Sequence, residues 1–241
     1  MHTTFAAEAS GIDFGHVTPE VVEEIKAGLA KYGVLVFRDT KLTDEKHVEM
    51  SKLFGDLDDV SPYIAGLGQV NRLSSDLLFD VSNINPDGTI MDSGSKREIM
   101  LRCNRQFHAD SAFNPRRGGI SLLLAHELPP SETGGDTEFA DSRQAYEDLS
   151  QETKERIADY VVNNSQFQCR RSANPGNPMV EGPAFDPLNN RMGKHRLVQI
   201  HEPSGRTNLY IAAHAHNVEG MPVEQGQREL LDLLAFAGRK E

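Results

Sequence analysis

From residue 99 onward, short apolar runs are divided by turn chemistry, and this punctuation constrains the fold more than any other feature of the chain. The longest run, Ile120-Ser-Leu-Leu-Leu-Ala125, predicts a strand over residues 120–127 buried on both faces. Pro129-Pro130 ends it, since proline cannot donate to a ladder. Residues 197–201 and 207–213 are expected to pair as a hairpin across Glu202-Pro-Ser-Gly205. Strands with regular turns and few crossover helices read as an antiparallel barrel or jelly roll, mainly β with flanking helices. The helices are expected at residues 18–33, with Thr18 as N-cap and Pro19 at the first position, and at 43–54, 142–149, 152–162 and 222–237. A short strand over 34–37 follows the first of them, residues 57–76 are loop-rich, and 83–97 carry turn chemistry. The Pro- and Asn-rich stretch 166–190 reads as a long irregular lid or disordered loop.

With 241 residues and 38% hydrophobic content, the chain has the size and core of one domain. Its apolar runs are too short to span a membrane, and the N-terminus lacks a basic region followed by an apolar run, so a cytoplasmic protein is expected. Cys103 and Cys169 form neither a disulfide framework nor a Cys-x-x-Cys clip, which suits a reducing compartment. The formal net charge of -11 argues against a nucleic-acid partner and offers no general attraction to anions. A carboxylate-bearing substrate must therefore find local cations, and Arg97, Arg102, Arg105, Arg116 and Arg117 cluster along one stretch of sequence.

That stretch contains Asn104-Arg-Gln-Phe-His108-Ala-Asp110. On an extended strand an imidazole and a carboxylate at this spacing face the same side, so one cation could take both. His-x-Asp is part of a facial triad; the competing reading is a surface histidine beside a solvated carboxylate. The downstream histidines are His126, His195, His201, His214 and His216, and His214-Ala-His216 has the spacing of a same-face clip. A divalent-metal hydrolase would need its own third ligand, and no His-Glu-x-x-His cluster appears.

The run His108-Ala-Asp-Ser-Ala-Phe113, then Leu122-Leu-Leu-Ala125, Leu128-Pro-Pro130, Thr133-Gly-Gly-Asp-Thr-Glu-Phe139 and Ala145-Tyr146, resembles the Fe(II)/2-oxoglutarate-dependent dioxygenases of the taurine dioxygenase and 2,4-dichlorophenoxyacetate dioxygenase family. Phe79-Asp-Val-Ser-Asn83 and Leu209-Tyr-Ile-Ala-Ala-His214 resemble its dichlorophenoxyacetate branch, and the likeness runs from about Ile12 to the last residue. The resemblance implies a double-stranded β-helix, Fe(II), 2-oxoglutarate as co-substrate, dioxygen, and a small, anionic organic substrate. It implies that His108 and Asp110 are the catalytic metal ligands, that Thr137 binds 2-oxoglutarate, and that Asn104 and His214 lie near the substrate. The bland alternatives are a strand threonine, a turn-capping asparagine and a satisfied core histidine. The family carries a further histidine and an arginine beyond the last helix, and this sequence ends at Glu241 before them. The expectation is one domain, residues 1–241, lacking its last strands, with little turnover and with strand edges that favour a homo-oligomer. The rival expectation is a non-catalytic metal- or ligand-binding member of the same fold.

Overall fold

A computed structural model of the chain describes residues 3–62, 71–73 and 75–239. The chain divides into two compact units, Met1–Met91 with Ile120–Thr137, and Asp92–Gly119 with Glu138–Glu241.

In the first unit, α1 (Pro19–Tyr32) starts where the sequence predicts. The Thr18 hydroxyl accepts the Val21 N–H at 3.4 Å, and Pro19 occupies a position whose N–H would have no partner. Gly33 closes the helix by donating its N–H to the Leu29 carbonyl. Val22 and Ile25 form its buried face. The helix joins two short parallel strands, β1 (Ala7–Ala9) and β2 (Leu35–Phe37), paired from Ala7↔Leu35 to Ala9↔Phe37. Next, α2 (Asp44–Lys52) is capped by the Thr43 hydroxyl on the Lys46 N–H. The segment 83–91 is the expected turn, with Ile84 bridged to Ile90 and Asp87 accepting from Thr89. Part of the loop-rich stretch 57–76, residues 63–70 and 74, lies outside the described residues.

The doubly buried strand expected over 120–127 does not form. No strand is assigned there; Leu122 and Leu124 are half-buried while Leu123 is 74% exposed, the alternation of extended chain with one covered side. An apolar run specifies burial, but a strand also needs a neighbour to complete its ladder, and among the described residues none pairs with it. A contact between His126 Nε2 and Asp44 Oδ1, at 2.9 Å, holds this segment to α2.

The second unit opens with α3 (Lys96–Leu101) and a 3-10 turn (Arg102–Arg105), where strand was expected. The Ser95 hydroxyl accepts the Glu98 N–H at 3.3 Å and starts the helix, while Glu98 Oε2 accepts the Gly94 N–H at 3.3 Å. Helices α4 (Ser142–Asp148) and α5 (Gln151–Ile157) follow as predicted, but Val161 and Val162 leave the helix for β3 (Val161–Asn164). β3 is the central strand between β4 (Gly193–Arg196) and β7 (Ala215–Val218), both antiparallel to it. β5 (Val198–His201) and β6 (Arg206–Leu209) form the predicted hairpin, from Val198↔Leu209 to His201↔Arg206. The stretch 166–190 is not an irregular lid. It folds into α6 (Gln166–Ser172), α7 (Pro178–Glu181) and two 3-10 turns, opened by Ser165, Asn177 and Asp186 as side-chain caps.

The core of this unit gathers Ile157, Val162, Leu197, Leu209 and Val218 against Leu230 and Leu233 of α8 (Val223–Ala237). Each such side chain contributes about 1.5–3 kcal/mol through burial. Leu231, on the opposite face of α8, is 57% exposed. Among the described residues helix outweighs strand, so the predominance of β expected from the sequence is not seen; extended runs such as 120–127 remain outside any ladder. No helix among them is long and apolar enough to cross a membrane.

Candidate metal centre

The segment around His108 is fixed from both sides. The Phe107 carbonyl accepts the Ala213 N–H at 2.9 Å, and the Phe107 ring lies so close to Gly238 at the end of α8 that a Cβ there would stand 2.6 Å from Cδ2. His108 sits in irregular backbone and Asp110 begins a turn, so the strand expected for His-x-Asp is not present. The side chains converge all the same, His108 Nε2 lying 3.5 Å from Asp110 Oδ1. The turn owes its shape to Ser111, held at φ 57°, and to hydrogen bonds from Ala112 N to Ala109 O and Asn114 N to Ser111 O. It packs on Gly193 of β4, where a Cβ would meet the carbonyl oxygens of Ala112 and Asn114 at 2.7 and 2.8 Å. His195 Nε2, 2.9 Å from the Asn114 carbonyl, clamps the same turn.

The hydrogen bond to Asp110 pushes His108 up to about 8; burial opposes the shift, and the Gln106 carbonyl, 2.7 Å from Nδ1, supports it. This arrangement suits a cation. An imidazole nitrogen and a carboxylate oxygen 3.5 Å apart are near enough for one cation to take both. The Gln106 carbonyl, accepting from Nδ1, leaves Nε2 as the ring nitrogen that could take a cation.

His214 is 4% exposed, with its ring 6.1 Å edge-to-face from His108 and 5.1 Å from Phe113. Burial first, then the neighbouring His108, depress it to about 4, and its buried Nδ1 has no hydrogen-bond partner. His214 lies in the turn before β7 whereas His216 is within the strand, its Nδ1 2.9 Å from Asn217 Oδ1. The spacing of a same-face clip is therefore not realised. Among the described residues no three His, Cys, Asp or Glu side chains are grouped to hold a metal. Asn104 is exposed in the 3-10 turn, where Cys103 Sγ contacts its Oδ1 at 3.8 Å. The structure thus brings His108, Asp110 and His214 together. Thr137 belongs to the first unit and is exposed on a segment with no assigned strand.

Other parts of the site were not legible in the sequence. Cys103 and Cys169 share a hydrogen bond that lowers Cys103 to about 7 against the effect of burial, with Arg170 and His108 adding to the lowering. Cys169 is fully buried and is raised by the same partner and by burial. Arg117 lies over the Tyr210 ring at 4.1 Å and bonds Gln199. These contacts join residues far apart in the chain, 66 positions for Cys103 and Cys169 and 82 for Arg117 and Gln199, so no local spacing announces them.

Comparison with known proteins bears directly on this site. Residues 1–240 match the model of the "Taurine catabolism dioxygenase TauD, TfdA family". The chain is 32% identical over 250 residues to an alpha-ketoglutarate-dependent 2,4-dichlorophenoxyacetate dioxygenase of Cupriavidus pinatubonensis, covering 100% of this chain and 82% of that protein. It is 30% identical over 251 residues to the enzyme of the same description from Burkholderia sp. (strain RASC), covering 98% of this chain and 77% of that protein. The crystal structure of AAD-2 in complex with Mn(II) and N-oxalylglycine superposes with a TM-score of 0.85 at 33% identity, over 100% of this chain and 81% of that one. Members of this family use Fe(II), 2-oxoglutarate and dioxygen. The chain belongs to the TauD/TfdA family of 2-oxoglutarate-dependent dioxygenases.

Proposed function

We propose that the chain hydroxylates a small anionic organic compound, aryloxyalkanoate-like or sulfonate-like, at the expense of 2-oxoglutarate. One oxygen atom of dioxygen enters the substrate C–H bond and the other enters succinate, with release of CO2. The observation that carries this reading is the convergence of His108 Nε2 and Asp110 Oδ1, with His108 Nδ1 tied to the Gln106 carbonyl. The 2,4-dichlorophenoxyacetate dioxygenases among the relatives support the substrate class. The AAD-2 match over the whole chain supports a single dioxygenase domain with a double-stranded β-helix.

His108 and Asp110 would hold Fe(II), which supplies dioxygen activation when bound. Thr137 donates its hydroxyl to a 2-oxoglutarate carboxylate, while Asn104 and His214 face the substrate. The protein's share of the chemistry is to orient these groups and keep the imidazole in one tautomer. One observation favours a second reading, a non-catalytic metal- or ligand-binding member: among the described residues the donor set stops at two protein groups. The experiment is succinate formation by the purified protein with Fe(II), ascorbate, 2-oxoglutarate and a panel of aryloxyalkanoates and sulfonates. Iron-dependent succinate coupled to substrate loss is the expected result. Retained Fe(II) binding with no succinate from any substrate selects the second reading.

A further inference from the structure

The chain carries a formal net charge of -11, yet among the described residues no carboxylate pairs with the guanidinium of Arg117, in the stretch that follows Asp110. Arg102 and Arg105 are engaged by Glu98, at 2.7 and 3.4 Å. Arg117 differs from them: among the described residues no acid pairs with it, and its buried Nη1 has no hydrogen-bond partner. The rest of the group is fixed. Nη2 donates to Gln199 Oε1 on β5, and the guanidinium carbon lies 4.1 Å from the centre of the Tyr210 ring. Gln199 is itself oriented by donating to the Arg196 carbonyl.

The backbone leading to Arg117 is the turn that begins at Asp110, packs on Gly193 and is clamped by His195. His195 also meets Tyr210 edge-to-face at 5.6 Å, so one set of contacts positions both the turn that carries Asp110 and the Arg117 guanidinium. Tyr210 also hydrogen-bonds Arg117 and senses the Asp110 carboxylate. A buried N–H with no partner costs stability, and a guanidinium fixed by Gln199 and Tyr210 is left with Nη1 as a donor suited to a carboxylate.

We propose that Arg117, held by Gln199 and Tyr210, binds the carboxylate of the organic substrate beside the His108–Asp110 pair. This rests on the dioxygenase reading for the identity of the ligand as substrate, but the binding itself needs no turnover. The test is calorimetric titration of phenoxyacetate and of its neutral counterpart phenoxyethanol into wild type, Arg117→Met, Arg117→Lys and Gln199→Leu, with and without Mn(II) and 2-oxoglutarate. Arg117→Met should weaken phenoxyacetate at least tenfold while leaving phenoxyethanol and 2-oxoglutarate unchanged. Arg117→Lys should recover part of the loss, and Gln199→Leu, which removes only the anchor, should weaken phenoxyacetate several-fold.

Equal phenoxyacetate affinity in wild type and Arg117→Met overturns the proposal, as does a wild type that does not bind phenoxyacetate. Equal losses for the charged and neutral probes would make Arg117 a packing residue, and loss of 2-oxoglutarate alone would assign it to the co-substrate; both also overturn it. Failure of the dioxygenase reading shows separately, as charge-dependent phenoxyacetate binding without iron-dependent succinate.

Discussion

Under the proposed function each nitrogen of His108 has a distinct task, and the residues that enforce the division are not themselves ligands. Gln106 occupies Nδ1 from one side, and the turn that delivers Asp110 to Nε2 depends on a missing side chain at Gly193. Gly193→Ala should therefore do more than fill space. Its Cβ would press on backbone carbonyls, which cannot swing aside, so a loss of about 1–3 kcal/mol is expected, together with weaker metal binding. Calorimetric unfolding beside a Mn(II) titration checks both, and unchanged values in both would separate the turn from the metal pair. Thr137→Val removes only a hydroxyl and should weaken 2-oxoglutarate binding by about 1.5–3 kcal/mol, with the unfolding midpoint preserved. Anaerobic titration of 2-oxoglutarate decides it; equal dissociation constants would return Thr137 to the ordinary residues of an exposed segment.

At the scale of elements, α4 is secured to β6 by an ionic cap. Asp141 accepts from the Arg143 backbone N–H and from Arg143 Nε, at 3.0 and 2.9 Å, and Arg206 of β6 stands 3.8 Å away. Burial alone would raise the Asp141 carboxyl, but the Arg143 hydrogen bonds and the two guanidinium charges outweigh it and hold it below its ordinary value of 3.8. The folded state thus binds this proton less readily than the unfolded chain. The stabilisation is complete above the ordinary value and is lost as pH falls from there through the lowered native value. Asp141→Asn should accordingly flatten the acid limb of the stability curve, measured by urea unfolding across that range; identical acid limbs would contradict the assignment. Leu209→Ala, at a fully buried position of the hairpin, should cost about 2–5 kcal/mol, read as a lower denaturation midpoint.

The elements legible in the sequence were those whose signals are local. Thr18-Pro19 with Gly33, Thr43, and the Glu202-Pro-Ser-Gly205 turn each fix an element without help from distant chain. The caps at Ser95, Ser165 and Asn177 were equally local, but turn-rich composition around them masked three short helices. The 120–127 run failed for a different reason, because its pairing depends on a partner strand and not on its own residues. The approach of His108 to Asp110 was legible from spacing within one motif; the Gly193 contact, the His195 clamp and the Arg117–Gln199 bond arise from tertiary neighbours about 80 positions away.

For the molecule as a whole, the proposed function turns on one claim, that His108 and Asp110 hold the metal in the second unit. Ligands that bind only the native state raise its stability, by about 2.7 kcal/mol at one hundred times the dissociation constant. For a chain of this size each kcal/mol is worth roughly 2–4 °C in the unfolding midpoint. The most direct measurement is the shift in midpoint produced by Mn(II) with N-oxalylglycine in wild type, His108→Ala and Asp110→Ala. The account predicts a rise of roughly 5–10 °C in wild type and its near-complete loss in both variants, with the ligand-free midpoints little changed. The same rise in all three proteins would contradict it.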